Sequence, residues 1–429
     1  MTNDWSQRAV ASFPAGSNGE FNLPHDLATV IRRGRGCRVE TAEGRDMLDM
    51  SMGWGSQLVG HADERITTPV AERLASGANF ATLTDASLEL AEQLIGISPA
   101  CDRLRFCASG TEATMYCLRL ARAATGRSTV LRFEGAYHGA HDVGVTSMFP
   151  TQRLDFPEAE PSSDGLVAHR EGGVLVAPFN DPETAVALIE QHRNELGAVI
   201  VEPLQRCLPP EQGFLQALRD ATRRAGVPLV FDEVVTGFRL ALGGAQERWG
   251  VVPDLVAYGK ALGGGFPIGV FGGRADLMDI AREDRHGNAT YAWTASTLGG
   301  NPISATAALA TLSVLREDGV YPRLEQLGEH TRNAMRDTLH HLDLDAKVIG
   351  TGPLAQIAFT DNTPRDYRSS QHRDRSVARE LMLELFRQGV FLNPMGTKLY
   401  LSLAHDERSI DEFQSKLHAA LQATVLQAA

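Results

Sequence analysis

From about residue 86 to residue 260 the chain alternates short apolar runs with helical stretches, and most of the apolar runs stop abruptly at a polar side chain. The runs are RLRFCAS, STVLRFEG, GGVLVAPF, LGAVIVEPL, VPLVFDEV and DLVAYGK. Between them, ASLELAEQLIGI (86–97), GTEATMYCLRLARAATG, PETAVALIEQHRNEL and FLQALRDATRRAG carry apolar positions at helical spacing. Pro182 stands near one helix start, and Gly126 and Gly226 close two others. Strands and helices in alternation predict an α/β domain with a largely parallel sheet and helices on both faces. In such sheets ligands sit outside the carboxyl ends of the strands. The polar residues that terminate these runs are therefore the ones to examine for chemistry.

The flanking segments differ. The chain up to about residue 45 is irregular and rich in Gly and Pro, and Arg32, Arg33 and Arg35 read there as a solvated surface strand. Past about residue 325 a helix (RLEQLGEHTRNAMRDTLHHL) leads to KVIGTGPLAQIAF, a second helix, VFLNPM, KLYLSLA and a final amphipathic helix, a smaller α/β unit. The expected division is 1–65, an N-terminal segment contributing to the small domain and the site entrance; 66–325, the large domain; and 326–429, the C-terminal small domain. With 41 Lys plus Arg against 53 Asp plus Glu, the net charge of −12 excludes a general nucleic-acid binder, which needs a basic surface. Five cysteines, without C-x-x-C pairs or zinc spacing, fit a reducing compartment and offer no metal site. MTNDWSQRAV lacks the pattern of a signal peptide, and no apolar run approaches the roughly 18 residues needed to span a bilayer. The expectation is a soluble, cytoplasmic protein with no membrane partner.

Several glycine-dense loops invite a phosphate-binding reading, and most fail it. Neither Gly126 nor Lys260 lies in a complete G-x-x-x-x-G-K-[ST] loop, and residues 350–355 only approximate a dinucleotide fingerprint. Two others carry more. Ser109-Gly110-Thr111 lies between a strand and a helix N-terminus, where backbone N–H groups and the helix dipole make an anion cradle; on this motif alone an ordinary N-cap is the simpler reading. Lys260 follows an apolar strand and precedes Gly263-Gly264-Gly265, and lysine forms imines with aldehydes. Asp232 closes another buried strand, where an unpaired carboxylate is costly and calls for a cationic partner. A cradle, a buried aspartate and an imine-forming lysine match the phosphate, ring nitrogen and aldehyde of pyridoxal 5'-phosphate (PLP). Tyr137 and His138 add an aromatic face.

RFCASGTEA (105–113), GAYHGAHD (135–142), VEPL (201–204), VFDEVVTGFR (230–239), PDLVAYGKALGGGFPIGVFGG (253–273) and TLGGNP (297–302) together resemble the class III PLP-dependent aminotransferases, most closely the glutamate-1-semialdehyde aminomutase-like branch. The resemblance implies a fold type I α/β architecture: a large, mostly parallel seven-stranded sheet domain plus a smaller α/β domain. It also implies a homodimer with active sites at the subunit interface. Carried over, Lys260 is the Schiff-base lysine and acid/base, Asp232 keeps the ring nitrogen protonated, and Tyr137 stacks on the ring. Ser109, Gly110 and Thr111 hold the phosphate, and Thr297 reaches the phosphate of the neighbouring subunit's cofactor. Glu202 lies near cofactor or substrate, and Trp54, in GWG, lines the substrate entrance.

Departures bear on the substrate. Val235 stands where many class III aminotransferases have Gln. AGSNGEFN (15–22) has Glu20 and no arginine where carboxylate-recognising members of the branch carry one, and a late arginine is replaced near Met395. The expectation is an aminotransferase working between a small-molecule amine and a keto or aldehyde acceptor, with Glu20 greeting a cationic amine such as an amino sugar or polyamine. The alternatives are that Arg239 binds a carboxylate, that the enzyme is an intramolecular aminomutase of the glutamate-1-semialdehyde type, or that it is a racemase or epimerase. A non-catalytic relative would lack Lys260 or Asp232, and both are present.

Overall fold

The computed structural model describes residues 4–19, 23–166, 173–371, 376–392 and 398–428. They divide into two compact units. The smaller combines Met1–Glu64, Asp318–Pro364 and Arg368–Ala429; the larger is Arg65–Glu317 joined by the short segment Arg365–Tyr367.

Strands are numbered along the chain. In the smaller unit β1 (Ile31–Arg35), β2 (Arg38–Thr41) and β3 (Asp46–Asp49) form an antiparallel meander, to which β13 (Val390–Phe391) adds parallel to β3. β11 (Lys347–Ile349), β12 (Leu354–Ala358) and β14 (Leu399–Tyr400) form a second, antiparallel sheet. Helices Val320–His341, Ser376–Arg387 and Glu407–Ala428 bury Met335, Leu381, Phe386, Ile410 and Phe413 in one core with Met47 and Leu48 of β3.

The larger unit holds seven strands: β4 (Arg103–Cys107), β5 (Thr129–Phe133), β6 (Val174–Ala177), β7 (Leu196–Val201), β8 (Leu229–Asp232), β9 (Leu255–Tyr258) and β10 (Gly269–Gly273). Their order is β4-β10-β9-β8-β7-β5-β6. β10 is antiparallel to both neighbours and every other pairing is parallel, so the mostly parallel seven-stranded sheet implied by the resemblance is present. All six residues of β7 (LGAVIV) are buried, as a central strand covered on both faces requires.

This direction matters for function. β4, β5, β7, β8 and β9 all end on one edge of the sheet, and each hands the chain directly to a residue singled out above. The helix Gly110–Thr125 starts at that edge and buries Ala113, Tyr116, Cys117, Leu120 and Ala121. Gly126, with φ 69°, adopts the left-handed conformation that ends it and donates its N–H to Arg122. Among the described residues no helix is long and apolar enough to cross a membrane.

Candidate active site

Asp232 closes β8 and is 5% exposed. Its Oδ1 accepts from the Val234 N–H at 3.1 Å, and its Oδ2 lies 2.8 Å from His138 Nδ1. His138, fully buried, sits on the loop after β5, and β7 separates β5 from β8 in the sheet. Burial pushes the Asp232 carboxyl up to about 6, while the Lys260 charge pulls against that rise. Burial, reinforced by the Arg132 charge, pushes His138 down to about 3. At neutral pH an ionised carboxylate thus faces a neutral imidazole, which places the ring proton on Nδ1, donated to Asp232. Asp232, expected to face a cationic partner such as a protonated ring nitrogen, takes a hydrogen bond from a neutral imidazole as well, and this role of His138 was not revealed by the spacing of the motif.

Beneath this pair Arg132 of β5, also fully buried, donates through Nη1 to the Val143 carbonyl and through Nη2 to the Ala136 carbonyl. It thereby fixes the loop that carries Tyr137 and His138. Glu202, the residue after β7, holds the same loop from the other side: Oε1 accepts from the Tyr137 N–H at 3.2 Å and Oε2 from the Arg206 N–H at 3.0 Å. Thr111 Oγ1 accepts from the Ala140 N–H at 3.2 Å, tying the loop to the helix start. Tyr137 is half-buried. His138, Glu202 and Asp232 each bring one possible ligand atom within 4.8 Å of the others, and hydrogen bonds tie all three to one another or to the Tyr137 and Val234 backbone.

At the cradle, Ser109 is the helix N-cap: its Oγ accepts from the Glu112 N–H at 3.2 Å, while Glu112 Oε2 accepts from the Ala108 N–H at 2.8 Å. The simpler reading of Ser109 therefore holds, and it orients the N–H groups of the first turn outward. A side chain at Gly110 has no room: its Cβ would stand 2.7 Å from Val234 Cγ1 and 2.8 Å from Cγ2. Lys260 follows β9, half-buried and with φ 43°, a left-handed conformation uncommon for a non-glycine residue. A Cβ on the preceding Gly259 would lie 3.6 Å from both the Gly110 nitrogen and Val234 Cγ1, so lysine, cradle and the Asp232 loop meet at one place.

Thr297 is exposed; its carbonyl accepts from Asn79 Nδ2 at 3.1 Å, in company with the exposed Phe80, Trp293 and Leu298. Arg239 is 1% exposed and donates through Nε to the Val235 carbonyl at 2.9 Å. Trp54 belongs to the smaller unit, in the turn Met52–Gly55, with φ 57°. Asp49 braces that turn, its Oδ1 accepting from the N–H groups of Ser51 and Met52 at 2.8 Å each, and its Oδ2 lies 2.6 Å from His61 Nε2. Glu20 and Met395 lie outside the described residues.

The geometry fits PLP. The cradle offers first-turn N–H groups where only glycine fits, and Asp232 keeps acceptor capacity beyond its two hydrogen bonds. Behind the aspartate, His138 Nε2 is buried without a hydrogen-bond partner.

The model of the family "Aminotransferase class-III" matches residues 22–421. A glutamate-1-semialdehyde 2,1-aminomutase from Thermomicrobium roseum is 39% identical over 406 residues, covering 93% of each chain. Among solved structures, an omega-transaminase from Sphaerobacter thermophilus superposes with a TM-score of 0.92 at 34% identity, over 98% of this chain and 97% of that one. A transaminase with PLP bound superposes with a TM-score of 0.87 at 27% identity, over 99% and 97%. With its motifs, its sheet and its strand-end site in agreement, this chain belongs to the class III aminotransferases, PLP-dependent enzymes of fold type I.

Proposed function

We propose that the enzyme relocates an amino group within a small substrate, as glutamate-1-semialdehyde aminomutases do, using Lys260, Asp232 and the Gly110 cradle around PLP. The observation that carries the use of this site is the meeting of Gly110, Val234 and Gly259 at one edge of the sheet, which brings lysine, aspartate and cradle together. The 39% identity over 93% of the chain supports the intramolecular reaction. Intermolecular transfer between an amine and a keto acid is the second reading, favoured by the omega-transaminase with its TM-score of 0.92.

Bound PLP supplies an aldehyde that captures amines and a ring that accepts electrons from the adjacent carbon. The chain supplies the rest. Lys260 Nζ would hold the aldehyde and, as a free amine, would serve as the base and acid that moves a proton beside it. Asp232, held by His138 and the Val234 N–H, keeps a proton on the ring nitrogen. The N–H groups at Gly110 and Thr111, with the Ser109 and Thr111 hydroxyls beside them, hold the phosphate. Glu202 fixes Tyr137 against the ring face through its backbone. In a homodimer Thr297 completes the partner's phosphate site, and the exposed Trp293 and Leu298 beside it are covered.

The test is the holoenzyme given glutamate-1-semialdehyde with no added amine or keto acid. Formation of the isomer carrying the amino group on C1 and the carbonyl on C2 supports the intramolecular reading. Turnover that waits for an added keto acid supports the second. Lys260→Ala is expected to abolish both reactions and the borohydride-trappable adduct; an active Lys260→Ala enzyme would overturn the assignment of the site.

A further inference from the structure

Residues 293–297 form no strand, yet a side chain of the larger unit holds every one of them. The carbonyls of Trp293, Ala295 and Thr297 accept from Arg119 Nη1 at 2.8 Å, from the Tyr116 hydroxyl and from Asn79 Nδ2 at 3.1 Å. Between them, Thr294 Oγ1 accepts from Arg105 Nη1 at 2.9 Å, and the Ser296 hydroxyl donates to Glu112 Oε1 at 3.2 Å. Exposure alternates with the same period: Trp293, Ala295 and Thr297 are exposed, while Thr294 is buried and Ser296 half-buried. The segment therefore runs extended, bonded inward on one face and presented outward on the other.

Three of these side chains, Glu112, Tyr116 and Arg119, come from the helix Gly110–Thr125 at spacing i, i+4 and i+7, a single face. The start of that helix is the cradle. Glu112 joins cradle and segment directly, with Oε1 on Ser296 and Oε2 on the Ala108 N–H. The Tyr116 side chain bonds the segment but not the cradle. Its hydroxyl donates to the Ala295 carbonyl and accepts from the Ala295 N–H at 3.4 Å. Its ring centroid lies 4.8 Å from that of Phe271 on β10 and 5.2 Å from the Arg119 guanidinium carbon, which keeps the hydroxyl in place. Both backbone groups of Ala295 are thus tied to one ring, two residues before Thr297.

We propose that Tyr116 is a positioning residue that acts across the homodimer: by clamping Ala295 it sets Thr297 of its own chain at the cofactor phosphate of the partner. It rests on the homodimer in which Thr297 completes the partner's phosphate site. The helix that gives one site its cradle then steadies the residue lent to the other. Removing the hydroxyl weakens phosphate binding in the partner and not in its own chain.

The test uses hybrid dimers purified through two affinity tags, in which one chain carries Lys260→Ala and only the other captures PLP covalently. Tyr116→Phe is placed on either chain, and PLP affinity is read from the absorbance of the captured cofactor and from the borohydride-trapped adduct. On the Lys260→Ala chain the substitution is expected to weaken PLP at the reporting site about threefold to tenfold, the loss of one hydrogen bond. On the reporting chain it should leave that affinity unchanged. Both hybrids hold the same substitutions, so a general loss of stability moves both alike and only positioning separates them. Thr297→Ala on the Lys260→Ala chain should weaken PLP at least as much, and adding Tyr116→Phe to that chain should weaken it no further. Equal affinity in the two Tyr116→Phe hybrids overturns the proposal, as does a Tyr116→Phe effect that persists beside Thr297→Ala. A monomeric wild type, or a Thr297→Ala effect confined to its own chain, refutes the reading of Thr297 and the proposal with it. Thr297→Ala acting across the dimer where Tyr116→Phe does not refutes the proposal alone.

Discussion

Gly110 offers a test of the site that needs no knowledge of the substrate. A Cβ at this position would stand 2.7 and 2.8 Å from the two γ-methyls of Val234 and 3.4 Å from its Cβ. Val234 is 9% exposed and cannot swing into solvent, and its N–H holds Asp232 Oδ1 at 3.1 Å. Gly110→Ala therefore pushes on the residue that orients the aspartate. Overpacking of this kind costs about 1–3 kcal/mol. The intrinsic gain of Ala over Gly in a helix, about 1 kcal/mol, offsets part of it. The net expectation is a destabilisation of about 0–2 kcal/mol, with a larger loss in PLP affinity because the displaced loop carries Asp232.

The reasoning is specific enough to be cycled. Val234→Ala removes both clashing methyls and costs about 1–2 kcal/mol by itself as a cavity. In that background a Cβ at Gly110 meets only an ordinary contact, so the strain vanishes and the helix gain remains. The double variant is expected to be more stable than the sum of the singles by about 1–3 kcal/mol, the overpacking strain removed, which lies within the roughly 0.5–3 kcal/mol found for contacting residues. Urea unfolding of the apo chains gives the stability cycle, and titration with PLP followed by absorbance gives the affinity cycle. Additive effects in both, or a Gly110→Ala chain that binds PLP like the wild type, would refute the close approach of cradle and aspartate loop.

Acid should unfold the chain early. His138, His141 and His405 lie below the ordinary 6.5, at about 3, 4 and 4, so their stabilisation is full above pH 6.5 and is lost as the pH falls towards 4. Each costs about 3 kcal/mol by pH 4, whereas Asp232, raised to about 6, returns about 2 kcal/mol over the same window. Urea midpoints at pH 7, 5.5 and 4 check this, and a chain equally stable at pH 4 and 7 contradicts it. Asp254→Ala removes the acceptor of the Leu229 N–H (2.8 Å) and of Arg219 Nη2 (2.8 Å) at the starts of β8 and β9. Leaving the 6%-exposed Arg219 unpaired should cost about 3–5 kcal/mol in unfolding experiments, while the exposed Arg274 partner contributes little. PLP affinity measured well below the unfolding transition should be unchanged.

What could be read from the chain was the part where chemistry dictates residue type. LGAVIV permits no polar residue because β7 is covered on both faces, so its end at Glu202 was visible as a boundary. The same logic exposed Asp232 and Lys260. β10 escaped it. GVFGG is a poor strand by propensity, yet a Cβ at Gly269 would stand 2.2 Å from the Ser109 carbonyl oxygen and one at Gly273 2.3 Å from that of Asp254. Glycine there records close approach by distant backbone, which no local pattern encodes. The segment Arg365–Tyr367 escaped for a similar reason. Its sequence neighbours belong to the smaller unit, but Tyr367 occupies the space beside Gly135, where a Cβ would meet its ring at 2.3 Å, and Arg365 donates to the Asn180 carbonyl at 2.7 Å.

The partnership of His138 with Asp232 spans 94 residues and exists because one strand, β7, separates β5 from β8. A histidine after a tyrosine has no periodicity to betray that. The distinction between it and a solvated side chain is a matter of which lone pairs and N–H groups meet once the sheet has assembled. The phosphate, ring nitrogen and aldehyde of a cofactor restrict the residue types that can hold them, so such residues are legible as motifs, whereas the groups facing a particular substrate are free to come from any loop that reaches the same edge.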